Sequence, residues 1–212
     1  MTLKQKISSI IKLLDELYPD AQCSLKYQTP FQLLIATQLS AQCTDARVNT
    51  VTPILFAKFP TAQEMSKATP DSLEKILYPL GFFRSKAKNL VTCSVTLMER
   101  YKGEVPASMD ALLTLAGVGR KTANLILGDV FNMPAIVTDT HAIRLSNRMG
   151  LTKNTDPKKV ENDLRKIVPP KSSSRFCHQL VLHGRAVCTA RKPKCSECKL
   201  FAANLCNFNL VG

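Results

Sequence analysis

Tryptophan is absent from this 212-residue chain, and Phe and Tyr make up only 6% of it. A core built on large rings is excluded, so Leu, Ile, Val and Ala must fill it, a composition that leans towards helices. Acidic residues are also scarce, 16 against 29 Lys+Arg, which leaves a formal net charge of +13 and a pI near 9.5. Such a balance points to a polyanionic partner, either nucleic acid or an anionic membrane surface, although a solubilising surface alone would also account for it. The excess is uneven: residues 1–140 hold 15 basic against 12 acidic side chains, and residues 141–212 hold 14 against 4. No apolar run reaches the ~20 residues of a membrane span. No segment alternates with a two-residue period, which argues against a sheet. Low-complexity stretches and repeats are missing too. The N-terminus lacks an apolar signal core, so the expected location is the cytoplasm.

What remains is a succession of helical patterns, and the expected fold class is all-α. Leu3, Ile7, Ile10, Ile11, Leu14 and Leu17 recur at helical spacing until Pro19. Thr29-Pro30, Thr69-Pro70 and Asp156-Pro157 each read as an N-cap followed by proline at the first helical position. Ser85 to Arg100 reads as a further helix closed by Gly103. Pro169–Ser174 is the best loop candidate.

Near the middle, Gly117-Val118-Gly119 joins two short helical patterns, Asp110–Leu115 and Arg120–Phe131. Glycine makes such a tight turn cheap, and the exposed N–H groups at the following helix start suit a phosphate. It is not a Walker A loop, because Arg120 rather than glycine precedes Lys121. It is not a dinucleotide fingerprint, because Thr122 stands where the third glycine is needed. Arg120 and Lys121 occupy the first turn, where cations oppose the macrodipole at a cost of ~0.3–1 kcal/mol each. Either both bind phosphate, or the lysine amine attacks an electrophilic carbon and forms a Schiff base. Asp139 follows eighteen residues after Lys121. It reads equally well as the N-cap of a helix over His141–Arg148 and as a catalytic carboxylate.

The chain has eight cysteines, and four lie close together as Cys188-x6-Cys195-x2-Cys198-x7-Cys206. In a cytosolic chain that density marks a metal site rather than disulfides. Zinc prefers two separate tight pairs, and only one tight pair is present here, so a compact iron–sulfur loop is the better reading. Arg191, Lys192 and Lys194 sit between two of these cysteines, where a rigid loop would present them to phosphates. Cys23, Cys43, Cys93 and Cys177 read as buried apolar residues.

Together, these motifs resemble the endonuclease III family of helix-hairpin-helix DNA glycosylases. The segment Gln38–Asp45 looks like its Leu-Ser-Ala-Gln-x-Thr-Asp run, and Gly81–Ala87 looks like its second wedge loop. Four features depart from the family pattern. Seven residues instead of five precede Cys206, Ala116 replaces a proline, Thr138 replaces a valine, and Phe82 takes a wedge position often held by leucine.

The resemblance implies two helical lobes: a six-helix barrel over 22–132 with the hairpin, and a cluster lobe of 1–21 plus 133–212. It implies a [4Fe–4S] cluster on Cys188, Cys195, Cys198 and Cys206. It also implies a bifunctional glycosylase and AP lyase that removes oxidised pyrimidines from double-stranded DNA, with Lys121 as nucleophile and Asp139 assisting. Gln42 would fill the hole left by the flipped nucleotide, Phe82 would wedge, and Gly117, Val118, Gly119 and Arg120 would hold the backbone. The expected form is a monomer that binds no membrane, at the nucleoid of a prokaryotic cell.

Three rivals fit less well. An adenine-removing mismatch glycosylase usually lacks the hairpin lysine. A non-catalytic DNA-binding module leaves Lys121 and Asp139 without explanation. A redox carrier has no need of two basic lobes.

Overall fold

The computed structural model describes residues 1–208. Among these every regular element is helical, and the chain divides into two compact units. The first runs from Cys23 to Phe131, and the second joins Met1–Gln22 to the residues from Asn132 onward.

The Cys23–Phe131 unit holds α2 (Pro30–Leu39), α3 (Asp45–Lys58), α4 (Ala62–Ser66), α5 (Pro70–Leu77), α6 (Phe83–Tyr101), α7 (Met109–Leu113) and α8 (Arg120–Asp129). In α2 every residue from Phe31 to Leu39 is buried. A helix apolar on all faces belongs at the centre of its unit, and α3, α6 and α8 all pack against it. Its polar side chains need internal partners. Thr37 donates to the Leu33 carbonyl (2.7 Å), and Gln32 accepts from the Gln28 N–H (2.8 Å). Thr29 caps α2 as expected, accepting from the Gln32 N–H (3.2 Å). Thr69 stands at the N-cap of α5 but makes no side-chain cap bond. Helix α3, capped by Thr44, continues through Pro53.

In the other unit, α1 spans Leu3–Leu17 and turns Ile7, Ile10, Ile11 and Leu14 inwards. It packs on α10 (Pro157–Ile167), α11 (Ser173–Ala186) and α12 (Lys199–Ala202), while α9 (Thr140–Arg148) packs on α11. Asp156 caps α10 by accepting from the Lys159 N–H (2.9 Å). Pro169–Ser174 is not an open loop: Pro170–Ser172 forms a 3-10 turn that runs straight into α11. The Ser173 hydroxyl explains the difference. It donates to the Pro170 carbonyl (2.8 Å) and accepts from the Ala135 N–H (3.1 Å), a distant partner that local patterns do not reveal. Cys93 and Cys177 are buried, but Cys23 and Cys43 are only half-buried.

Leu97 on α6 is fully buried. Leu97→Ala is expected to cost ~2–5 kcal/mol through lost burial and a residual cavity, read as a lower urea midpoint by circular dichroism.

Candidate functional site

The hairpin between α7 and α8 depends on one left-handed residue. Gly117 has φ +75°, and a Cβ there would lie 2.5 Å from Gln38 Oε1 and 3.1 Å from Asn89 Cβ. Gly119 is extended, with nothing within 4 Å of its would-be Cβ. Leu115 and Val118 are buried and anchor the turn. The Val118 side chain therefore faces the core, leaving only its backbone for an outside ligand. Helix α8 begins at Gly119 with no side-chain cap, so its first-turn N–H groups suit an anion. Arg120 is half-buried and Lys121 is exposed on that same turn.

Two further predicted positions lie beside the hairpin. Gln42 (φ 53°) and Phe82 (φ 46°) are both exposed and left-handed. Backbone strain of this kind in non-glycine residues costs roughly 1–3 kcal/mol and gathers at functional sites. Gln42, Phe82 and Gly117 line one cleft of about 190 Å³, together with Gln38 and Asn89. Gln38 Nε2 donates to Cys93 Sγ (3.3 Å), but its buried Oε1 finds no partner among the described residues. The sequence left Lys86 without a role. Its buried amine donates to the Leu80 carbonyl (3.1 Å) just ahead of Gly81-Phe82, and burial holds its pKa below the usual lysine value. Lys86 thus fastens the wedge loop.

Lys121 has neighbours that the sequence did not reveal. Burial pushes the Cys23 thiol up to about 12, Asp129 and Asp45 add to the rise, and Lys121 opposes it. These groups therefore share one electrostatic neighbourhood. Asp45 also accepts from the Ser24 hydroxyl (2.8 Å).

Asp139 belongs to the other unit. It is the N-cap of α9 and accepts from the Ala142 N–H (2.7 Å), which leaves it half-buried in a fixed orientation. The buried segment before it, Ala135–Thr138, is tied to α11 through the Ala135 and Val137 N–H groups.

The four C-terminal cysteines lie in this same unit. Burial raises the Cys195 thiol, Cys188 and Cys198 raise it further, and Arg148 pulls it down. Cys206 is raised by burial first and then by Cys188, Cys198 and Cys195. Cys195 and Cys206 therefore both lie within electrostatic reach of Cys188 and Cys198, although among the described residues no three metal-binding side chains close on a single ion. The Arg148 guanidinium donates to Cys188 Sγ (3.1 Å). An all-sulfur donor set beside a cation suits the thiolates of an iron–sulfur cluster. The long spacing before Cys206 is absorbed by α12. Asn204 (φ 56°) turns the chain back, and the Leu205 N–H bonds to the Leu200 carbonyl (3.0 Å). Arg191, Lys192 and Lys194 are exposed between the first two cysteines.

A family model described as the HhH-GPD superfamily base excision DNA repair protein matches residues 35–170. A second, the iron–sulfur binding domain of endonuclease III, matches residues 188–201 and stops short of Cys206. Endonuclease III of Synechocystis sp. is 52% identical over 204 residues, 96% of this chain and 92% of that protein. The chain belongs to the endonuclease III family. A non-covalent endonuclease III–DNA complex matches it with a TM-score of 0.90 at 40% identity, covering 97% of this chain and 96% of that one. A trapped endonuclease III–DNA covalent intermediate matches to the same extent, with a TM-score of 0.90 at 40% identity over 97% of this chain and 96% of that one. As a member of the family, the protein is a base excision repair enzyme with DNA glycosylase and AP lyase activities, and it carries a [4Fe–4S] cluster. No helix among the described residues is long and apolar enough to cross a membrane.

The two hairpin glycines should respond differently to substitution. Gly117→Ala adds a strained left-handed residue, ~1–2 kcal/mol, to its clash with Gln38, and is expected to lower the thermal midpoint. Gly119→Ala is expected to keep the parent midpoint. Differential scanning fluorimetry of both variants checks the contrast.

Proposed function

We propose that Lys121 is the nucleophile of this glycosylase and lyase, acting on an oxidised pyrimidine flipped out of double-stranded DNA. The observation that carries the reading is an exposed amine on the first turn of a helix with no side-chain cap, directly after a glycine hairpin. That hairpin suits a DNA phosphate through backbone N–H groups, without regard to base.

The chemistry follows from the amine. The Lys121 nitrogen bonds to C1′ of the sugar, and the C1′–N bond to the base breaks, so the base leaves with the electron pair. Ring opening gives a Schiff base, which makes the C2′ proton acidic. Loss of that proton breaks the C3′–O bond and cuts the strand on the 3′ side of the lesion. Asp139, fixed as an N-cap, is suited to help activate the amine and to stabilise positive charge developing on the sugar.

Gln42 and Phe82, upright on strained backbone beside the hairpin, are suited to fill the gap and to wedge the stack. Gly117, Gly119, Arg120 and the Val118 backbone would hold the phosphate. Arg191, Lys192 and Lys194 would add sequence-independent attraction. Cys188, Cys195, Cys198 and Cys206 would hold the cluster, which, once bound, cross-links and stiffens the loop carrying those cations. The functional unit in this reading is a monomer in the cytoplasm of a prokaryotic cell, working at the nucleoid on damaged or abasic DNA.

Borohydride trapping on a duplex with one thymine glycol tests the nucleophile. The protein is expected to give a covalent adduct and Lys121→Gln none. An adduct that survives in the variant moves the nucleophile elsewhere. The loop cations make a separate prediction. Replacing Arg191, Lys192 and Lys194 by alanine should flatten the slope of log Kd against log salt by up to about 3. An unchanged slope would remove them from the interface.

A further inference from the structure

Helix α9 carries Asp139 as its N-cap and ends at Arg148. A helix of this size extends about 13 Å at 1.5 Å per residue. At its far end Arg148 bonds to both ends of the cysteine segment. Its Nη1 donates to Cys188 Sγ (3.1 Å) and the Thr189 carbonyl (2.8 Å), and its Nη2 donates to the Ala190 carbonyl (3.0 Å). Its own carbonyl accepts from the Asn207 N–H (2.8 Å) and the Cys206 thiol (3.3 Å). The Phe208 ring covers the guanidinium, 4.1 Å from the ring centroid. The start and the end of the cysteine segment are therefore fastened to one residue. One turn earlier, Arg144 holds the Cys188 carbonyl through Nε (3.3 Å) and Nη2 (2.9 Å), and the Gly184 carbonyl through Nη2 (3.2 Å).

This arrangement does more than anchor a loop. A cation at a helix C-terminus is favoured by the macrodipole. A planar fork can engage a sulfur and two carbonyls together, which an ammonium cannot do. An N–H donated to a ligating sulfur stabilises the more negative reduced cluster and so raises its potential. When Cys206 gives up its proton on ligation, the Asn207 N–H still holds the Arg148 carbonyl. The helix is stiff along its axis, so a shift at Arg148 is transmitted to the cap.

We propose that Arg148 is a positioning residue for the reaction: it fixes the Cys188 sulfur and the Cys206 backbone to the end of α9 and so sets where Asp139 stands at the other end. The inference rests on the reading that the four cysteines hold the cluster and that Asp139 serves the chemistry.

The test compares the iron-loaded parent with Arg148→Met and Arg148→Lys. Circular dichroism monitors folding. Arg148→Met is expected to lose iron to a chelator roughly 10-fold faster and to show a more negative midpoint potential. In its loaded fraction, the kcat for base excision should fall roughly 10-fold with little change in KM. Arg148→Lys keeps the cation but not the fork. It should load, with a potential between the other two and a smaller loss of kcat. If Arg148→Met does not fold, the lysine variant decides: parent-like potential and kcat overturn the proposal, and displaced values support it. In a folded Arg148→Met, either a parent-like potential or a parent-like kcat also overturns it. Two controls examine the underlying reading separately. A parent protein without iron, or full excision by Asp139→Asn, would place the fault in the site assignment rather than in Arg148.

Discussion

Helix α2 is covered on every side, so its side chains can move only if the unit around them moves. That constraint governs the recognition edge. The chain leaves α2 at Leu39 and within a few residues reaches the left-handed Gln42. Helix α8, with Lys121 on its first turn, packs against the same helix. Gln38, near the end of α2, meets the hairpin at Gly117. The hairpin, the Gln42 loop and Lys121, the proposed nucleophile, thus take their positions from one buried rod. The exposed surface is precise because the interior behind it cannot be rearranged cheaply.

The other unit meets a different difficulty: the proposed role of its four C-terminal cysteines as cluster ligands would require their thiols to ionise. Burial and mutual repulsion both work against ionisation at Cys195 and Cys206. Arginine offsets part of that cost, with Arg148 lowering the Cys195 thiol and donating to Cys188. His183 does not share in this. Burial pushes it down to about 4, so it stands neutral between the Tyr18 hydroxyl (3.0 Å) and Cys198 Sγ (3.5 Å). The cationic compensation comes from α9 and not from the nearest imidazole.

Features that depend on local backbone chemistry were legible in the chain. Thr29 and Asp156 cap helices, Gly117 takes φ +75°, and the apolar period of α1 places Ile7, Ile10 and Leu14 inside. The all-helical class followed from the same signals. Features that depend on partners far along the chain were not legible. Ser173, at the start of α11, accepts from the Ala135 N–H, and Arg148 grips residues about forty positions later. No window of sequence contains both ends of such contacts. Val118 shows a subtler gap. Its motif was visible, but not that its side chain points inwards and leaves only its backbone outside.

Gln42 and Phe82 hold φ values near +50° in the free protein. The surrounding fold meets that conformational cost once, as the chain closes around α2 and Lys86 fastens its loop. The two side chains are already raised before any duplex arrives. In their proposed role, an encounter with DNA would spend little entropy on ordering them, leaving most of the contact energy to deform the duplex. A search through undamaged sequence, made of many brief contacts, favours a rigid tool of this kind over one that must be rebuilt at every step.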